Sequence, residues 1–128
     1  MVVIVIGANG FVGSAFIAFL KQCPEVEIVE VTRANYAHVV GTQSNIVIDV
    51  SCNARKYLAD EKPVEEFALS VRHRLQTLQD FPAKLQVHIS SVDVYSDLTT
   101  PETTQEDSPI DLHHVSNYGM SLTEKRID

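Results

Sequence analysis

The sequence predicts one α/β domain over residues 1–128, built on a doubly wound parallel sheet of about four strands. Three observations carry that expectation. Short β-branched apolar runs at 2–6, 26–31, 46–50 and 85–90 fit strands buried on both faces. Helical patterns lie between them, as right-handed strand–helix–strand crossovers require. A glycine-rich turn joins the first run to the first helical pattern.

Taken in order, Val2-Val3-Ile4-Val5-Ile6 is the first strand, and it stops at Gly7-Ala8-Asn9-Gly10, where Asn-Gly signals a turn. Residues 11–22 repeat Phe11, Val12, Ala15, Phe16, Phe19 and Leu20 at helical spacing until Cys23-Pro24 ends the run. After the second strand the link 32–45 is short, with room for a turn or two of helix around Tyr36 to Val40. Pro63 suits a first helical position and Glu65 and Glu66 the positive end of a helix dipole. Val64, Phe67, Ala68, Val71, Leu75 and Leu78 then form one stripe of a helix over 63–80, stopped before Phe81-Pro82. Residues 96–117 read as an exposed loop, and a final helix begins at Ser116 or at the capping-box pattern Ser121-Leu122-Thr123-Glu124.

Composition removes several functions. Ten Lys and Arg against seventeen Asp and Glu give a net charge of −7, so no nucleic-acid partner is expected. Residues 1–20 lack charged side chains, but the glycines and Asn9 break any spanning stretch and no basic leader precedes it, so no membrane partner is expected. Cys23 and Cys52 form neither a disulfide framework nor a zinc spacing, which points to a reducing, cytoplasmic setting and to no metal. His113-His114 is a loop pair, because adjacent residues face different ways.

The chemistry gathers at the ends of the strands. Gly7-Ala8-Asn9-Gly10-Phe11-Val12-Gly13 has G-x-x-G-x-x-G spacing after a buried strand and opens an amphipathic helix. Glycine lets the backbone turn tightly and approach a pyrophosphate, while the helix supplies free N–H groups and a positive dipole end. This is a Rossmann-like dinucleotide signature, set against an ordinary glycine-rich turn. At the second strand's tip stands Val31-Thr32-Arg33 without an acidic residue, and Glu30 comes two residues too early to serve. NADP is therefore preferred as cofactor, with NAD possible, unless Arg33 is simply a solvated loop cation. Asp49 reads as a ribose-contacting or surface carboxylate. Ser90 and Ser91 follow the fourth run at the carboxyl end of a strand, where ligands sit, and Tyr118 lies downstream as a candidate proton carrier.

Together these segments resemble the extended short-chain dehydrogenase/reductase superfamily, in its NAD(P)-dependent sugar-nucleotide epimerase/dehydratase branch. The likeness runs from end to end: the glycine motif, Val47-Ile48-Asp49-Val50-Ser51-Cys52, Glu61-Lys62-Pro63, Ile89-Ser90-Ser91-Val92-Asp93-Val94-Tyr95, Glu106-Asp107-Ser108-Pro109 and Tyr118-Gly119-Met120-Ser121. It implies hydride transfer on a nucleotide sugar or similar hydroxy/keto compound. Ser91 then donates a hydrogen bond to the substrate oxygen and Tyr118 is the acid/base. The cofactor is held by Gly7, Asn9, Gly10, Phe11, Val12, Gly13, Thr32, Arg33, Val50, Ser51, Cys52 and Ser90.

Departures from the pattern open a second reading. Leu122 stands where the family has a lysine four residues after the tyrosine, and Lys125 comes a further turn along. Leu69, with Ser70 beside it, replaces a helix asparagine, and Ser51 and Cys52 replace a small apolar pair. The C-terminal substrate domain of the family is expected to be absent from a chain of 128 residues. The alternative is thus a non-catalytic NAD(P)-binding module or remnant acting as sensor or interaction domain. The resemblance also implies a homodimer in which the helix at 63–80 and the tyrosine-bearing helix pair across a two-fold axis, with Ala68, Gly119 and Ser121 permitting close approach.

Overall fold

The computed structural model describes residues 1–53, 55–95 and 97–109. Its four strands are β1 (Val2–Ile6), β2 (Glu27–Val31), β3 (Ser44–Asp49) and β4 (Ala83–His88). Helices α1 (Phe11–Leu20), α2 (Tyr36–Val39), α3 (Leu58–Glu61), α4 (Pro63–Phe67) and α5 (His73–Asp80) separate them. All strand pairs are parallel, in the order β2-β1-β3-β4. The expected fold class is what forms. Compared with the usual dinucleotide-binding order 3-2-1-4-5-6, this sheet corresponds to strands 2-1-4-5. The short link 32–43 holds only α2, so the chain crosses from β2 over β1 directly to β3.

Contacts divide the chain into two compact units, Met1–Cys52 with Gln76–Ile89 and Asn53–Leu75 with Ser90–Asp128. In the first, alternation along the strands splits the core between the sheet's two faces. Val3, Val5 and Ile48 pack with Ala8 and Ile17, and with Phe16 and Leu20 of α1. Ile4, Ile6, Val31 and Val47 pack with Phe81, and with Tyr36 and Val39 of α2. Tyr36 and Phe81 meet edge-to-face with ring centroids 5.1 Å apart, and the Tyr36 hydroxyl donates to Asp80 Oδ2 at 2.9 Å. In the second unit a small cluster forms around Ala59 and Val94, with Tyr95 against it.

Two helical patterns turn out differently from their sequence periodicity. In α1 the residues buried are Gly13 and Ile17, while Phe11 is 95% exposed and Val12 and Phe19 are also exposed. The cause is the close approach of Gly13 to the preceding turn, which fixes the rotation of the helix. The helical run from Pro63 to Asp80 is interrupted by a π-helical turn at Ala68–Arg72. Along it Val64 is 84% exposed, and Phe67 and Leu75 are exposed too, whereas Glu66, Ser70, Val71, Arg74 and Thr77 are buried. The inserted residue of a π turn rotates the later turns relative to a regular helix, so an apolar stripe drawn at 3.6 residues per turn does not describe one face. The short helix α3 carries no sustained period and is not expected from the sequence.

Candidate functional site

The glycine turn of the first unit is built by backbone bonds. Gly7 N–H and Ala8 N–H both donate to Val31 O, at 2.9 and 3.1 Å, which ties the end of β1 to the end of β2. Gly10 N–H closes the turn on Gly7 O at 2.9 Å. Gly7 has φ +84°, the left-handed region that favours glycine. A Cβ at Gly13 would stand 2.1 Å from Gly7 O, so only glycine lets α1 start against the loop. Gly10 caps α1 without a side-chain bond, and the first turn of the helix carries no acidic residue. The result is a short concave backbone with a positive helix end, suited to a pyrophosphate. Asn9, Gly10, Phe11 and Val12 are exposed around it.

The third-strand segment comes to the same turn. Val50 N–H continues the ladder by donating to Ile6 O at 3.0 Å, and a Cβ on Gly7 would meet Ser51 N at 3.2 Å and Val50 Cγ2 at 3.3 Å. Ser51 is held by Asp49: its N–H donates to Oδ1 at 2.9 Å, and its hydroxyl donates to the same oxygen. The other oxygen of Asp49 accepts from the Thr77 hydroxyl at 3.1 Å, and His88 Nδ1 lies 3.9 Å away. Asp49 is therefore no surface or ribose-contacting group. It is 1% exposed and braces the turn that carries Ser51. Cys52, the next residue, is exposed.

At the tip of β2, Asn35 organises the loop. Its Oδ1 accepts from Thr32 N–H at 2.7 Å and from the Thr32 hydroxyl at 3.1 Å, while its Nδ2 donates to Glu30 O at 2.8 Å. Arg33 is left exposed at the tip. Glu30 pairs with Lys21 at 3.1 Å, so no carboxylate stands where an NAD ribose would be read.

In the second unit Ser91 caps the 3₁₀ turn Val92–Val94. Its hydroxyl donates to Asp93 Oδ2 at 2.6 Å and accepts from Asp93 N–H at 3.3 Å. Lys56 Nζ sits 2.6 Å from Asp93 Oδ1. The hydrogen bond from Lys56, then that from Ser91, hold the Asp93 carboxyl below its ordinary range. Glu66, wholly buried, accepts from the Ser70 hydroxyl and from Asn53 Nδ2. Ser90 is exposed. Tyr118, Leu122, Lys125, Gly119, Ser121 and the pair His113-His114 lie outside the described residues.

Gly7, Gly10, Gly13, Val50 and Ser51 thus converge on one turn, and Thr32 and Arg33 follow the strand tied to it. Sequence reasoning missed Asn35, Lys56 and Asp93. Asn35 three residues after Thr32, and Asp93 two after Ser91, are local side-chain-to-backbone spacings available in the chain. Lys56 had no such signal. Among the described residues no group of three or more His, Cys, Asp or Glu is placed to hold a metal, and no helix is long and apolar enough to cross a membrane.

The sequence matches no protein-family model and no curated protein. Solved structures do match. RMD from Pseudomonas aeruginosa, complexed with NADPH, superposes with TM-score 0.70 at 19% identity, over 98% of this chain and 47% of that one. UDP-glucuronic acid 4-epimerase from Bacillus cereus, in complex with a fluorinated UDP-glucuronic acid and NAD, gives TM-score 0.75 at 16% identity, over 98% and 50%. A short-chain dehydrogenase/reductase superfamily protein from Agrobacterium tumefaciens with bound NAD gives 0.67 at 21%, over 98% and 43%. The chain spans about half the length of the structures it resembles.

Proposed function

Because the chain shares its fold with these epimerase and short-chain dehydrogenase/reductase structures over about half their length, we propose that it is the NAD(P)-binding part of an oxidoreductase or epimerase. The observation that carries the reading is the glycine turn, whose three glycines each stand where a side chain would obstruct the turn or the helix start. The loop 7–13 would take the pyrophosphate, Thr32 and Arg33 the adenosine ribose, and Val50, Ser51, Cys52 and Ser90 the remainder of the cofactor. When bound, such a cofactor supplies a hydride acceptor or donor. The substrate class is a nucleotide sugar or similar hydroxy/keto compound, as in the nucleotide-sugar complex above, with Ser91 at the substrate oxygen and Tyr118 as acid/base. Two free cysteines suit the reducing cytoplasm.

NADP is the preferred form, since Arg33 is exposed at the β2 tip and Glu30 is engaged by Lys21. Titration with NADPH and NADH, followed by nicotinamide fluorescence, tests this. NADPH should bind more tightly, and Arg33→Ala should weaken NADPH about tenfold while leaving NADH within about twofold, the size of one charge-assisted bond. Equal affinities, or an Arg33→Ala effect equal on both, would refute the preference. Binding of neither would refute the cofactor reading.

Leu122 at the lysine position favours a second reading, a cofactor-binding module without turnover. Hydride transfer to keto-sugar nucleotides separates the two. We also propose a homodimer, supported by the exposed Val64, Phe67 and Leu75 of the Pro63–Asp80 run.

A further inference from the structure

We propose that Asp93 is a positioning residue that turns the Ser91 proton toward its own carboxylate, so that Ser91 meets a ligand as a hydrogen-bond acceptor and the site takes a hydroxyl compound in preference to its keto form. The inference rests on the reading of Ser91 as the group that meets the substrate oxygen, and it specifies which oxidation state of that substrate binds.

A serine hydroxyl has one proton and two lone pairs. In this chain the proton goes to Asp93 Oδ2 at 2.6 Å, and one lone pair takes the Asp93 N–H at 3.3 Å. One lone pair remains, on a half-buried side chain. For Ser91 to donate to a ligand, its proton must leave an ionised carboxylate for a neutral oxygen, exchanging a charge-assisted bond for one about half as strong. Lys56, 2.6 Å from the other oxygen, keeps the carboxylate ionised and engaged. The arrangement is locked locally, because Ser91 and Asp93 are joined through the cap of the Val92–Val94 turn. A keto oxygen brings only lone pairs to the lone pair that Ser91 has left, whereas an alcohol brings a proton.

The test is calorimetric titration of the full chain with UDP-galactose and with the corresponding UDP-4-keto-hexose, beside an NADPH titration. The wild type should bind the hydroxyl form about tenfold more tightly, the worth of one hydrogen bond gained rather than mismatched. Asp93→Asn, which frees the Ser91 proton, should bring the two affinities within about twofold. Ser91→Ala should lower the hydroxyl form to the level of the keto form. The ratio of two affinities is the readout, since a loosened fold lowers both ligands together. An unchanged ratio in Asp93→Asn, or equal affinities in the wild type, overturns the proposal. Binding of neither sugar nucleotide with NADPH still bound overturns it and spares the cofactor reading; loss of NADPH binding as well takes down both.

Discussion

Replacing Gly13 by alanine tests the packing that places the helix behind the glycine turn. An ideal Cβ there lies 2.1 Å from Gly7 O, 2.8 Å from Gly7 C and 2.9 Å from Ala8 Cα. All three are backbone atoms, so no rotamer change relieves the overlap. Ordinary carbon–oxygen contacts begin near 3.3 Å, so the turn and the helix must part by roughly 1 Å. Alanine recovers about 1 kcal/mol of helix propensity. Against that stand an overpacking cost of about 1–3 kcal/mol and the loss of contacts where α1 lifts from the sheet. The expected net destabilisation is about 2–4 kcal/mol, measured by urea unfolding with two-state analysis. NADPH binding should be lost with it. Two other glycines calibrate the measurement. Gly41, at φ +83° with nothing within 4 Å of its Cβ, should cost about 1 kcal/mol as alanine for strain alone. Gly10, at φ −76° with one contact at 3.2 Å, should cost less. If Gly13→Ala is as stable as the wild type, or milder than Gly41→Ala, the account of the turn is wrong.

Burial, then the hydrogen bond to Asp80, raises the Tyr36 phenol above its ordinary value near 10. Folded Tyr36 keeps its proton where the unfolded chain has lost it, so its contribution is full below about pH 10 and falls as pH rises beyond that. Tyr36→Phe should cost about 1 kcal/mol at neutral pH and flatten the alkaline limb of a stability–pH profile; an unchanged limb would count against the buried phenol. Light scattering should give a dimer mass for the wild type and a monomer mass for Val64→Lys with Phe67→Glu. A monomeric wild type at working concentration would end the dimer proposal.

The sheet was legible in the chain because each strand is a dense β-branched run and each parallel crossover needs a helix or a link of its own. The bounds moved where local propensity met pairing: β3 and β4 both begin earlier than their apolar runs, since Ser44 pairs with Ala83 once the two strands are aligned. The glycine turn was legible too, because its requirement is on the backbone and acts within seven residues. Thr32 and Arg33 were placed by their position after a strand. Asp49 was misjudged as a surface or ribose group, since whether a carboxylate at a strand end is buried depends on the Thr77 side chain, 28 positions away.

The sequence by itself determined the fold class and the order of its strands' chemistry, as hydrophobic period and glycine spacing are local properties of a chain. Only tertiary structure decided which faces are buried and which carboxylates are paired. The rotation of α1 is set by the contact of Gly13 with the turn, and the burial of Glu66, Ser70 and Thr77 goes with a π turn that sequence period does not announce. The pairing of Lys56 with Asp93 joins residues 37 apart, and a pair so distant exists only when the folded chain brings its charges within reach.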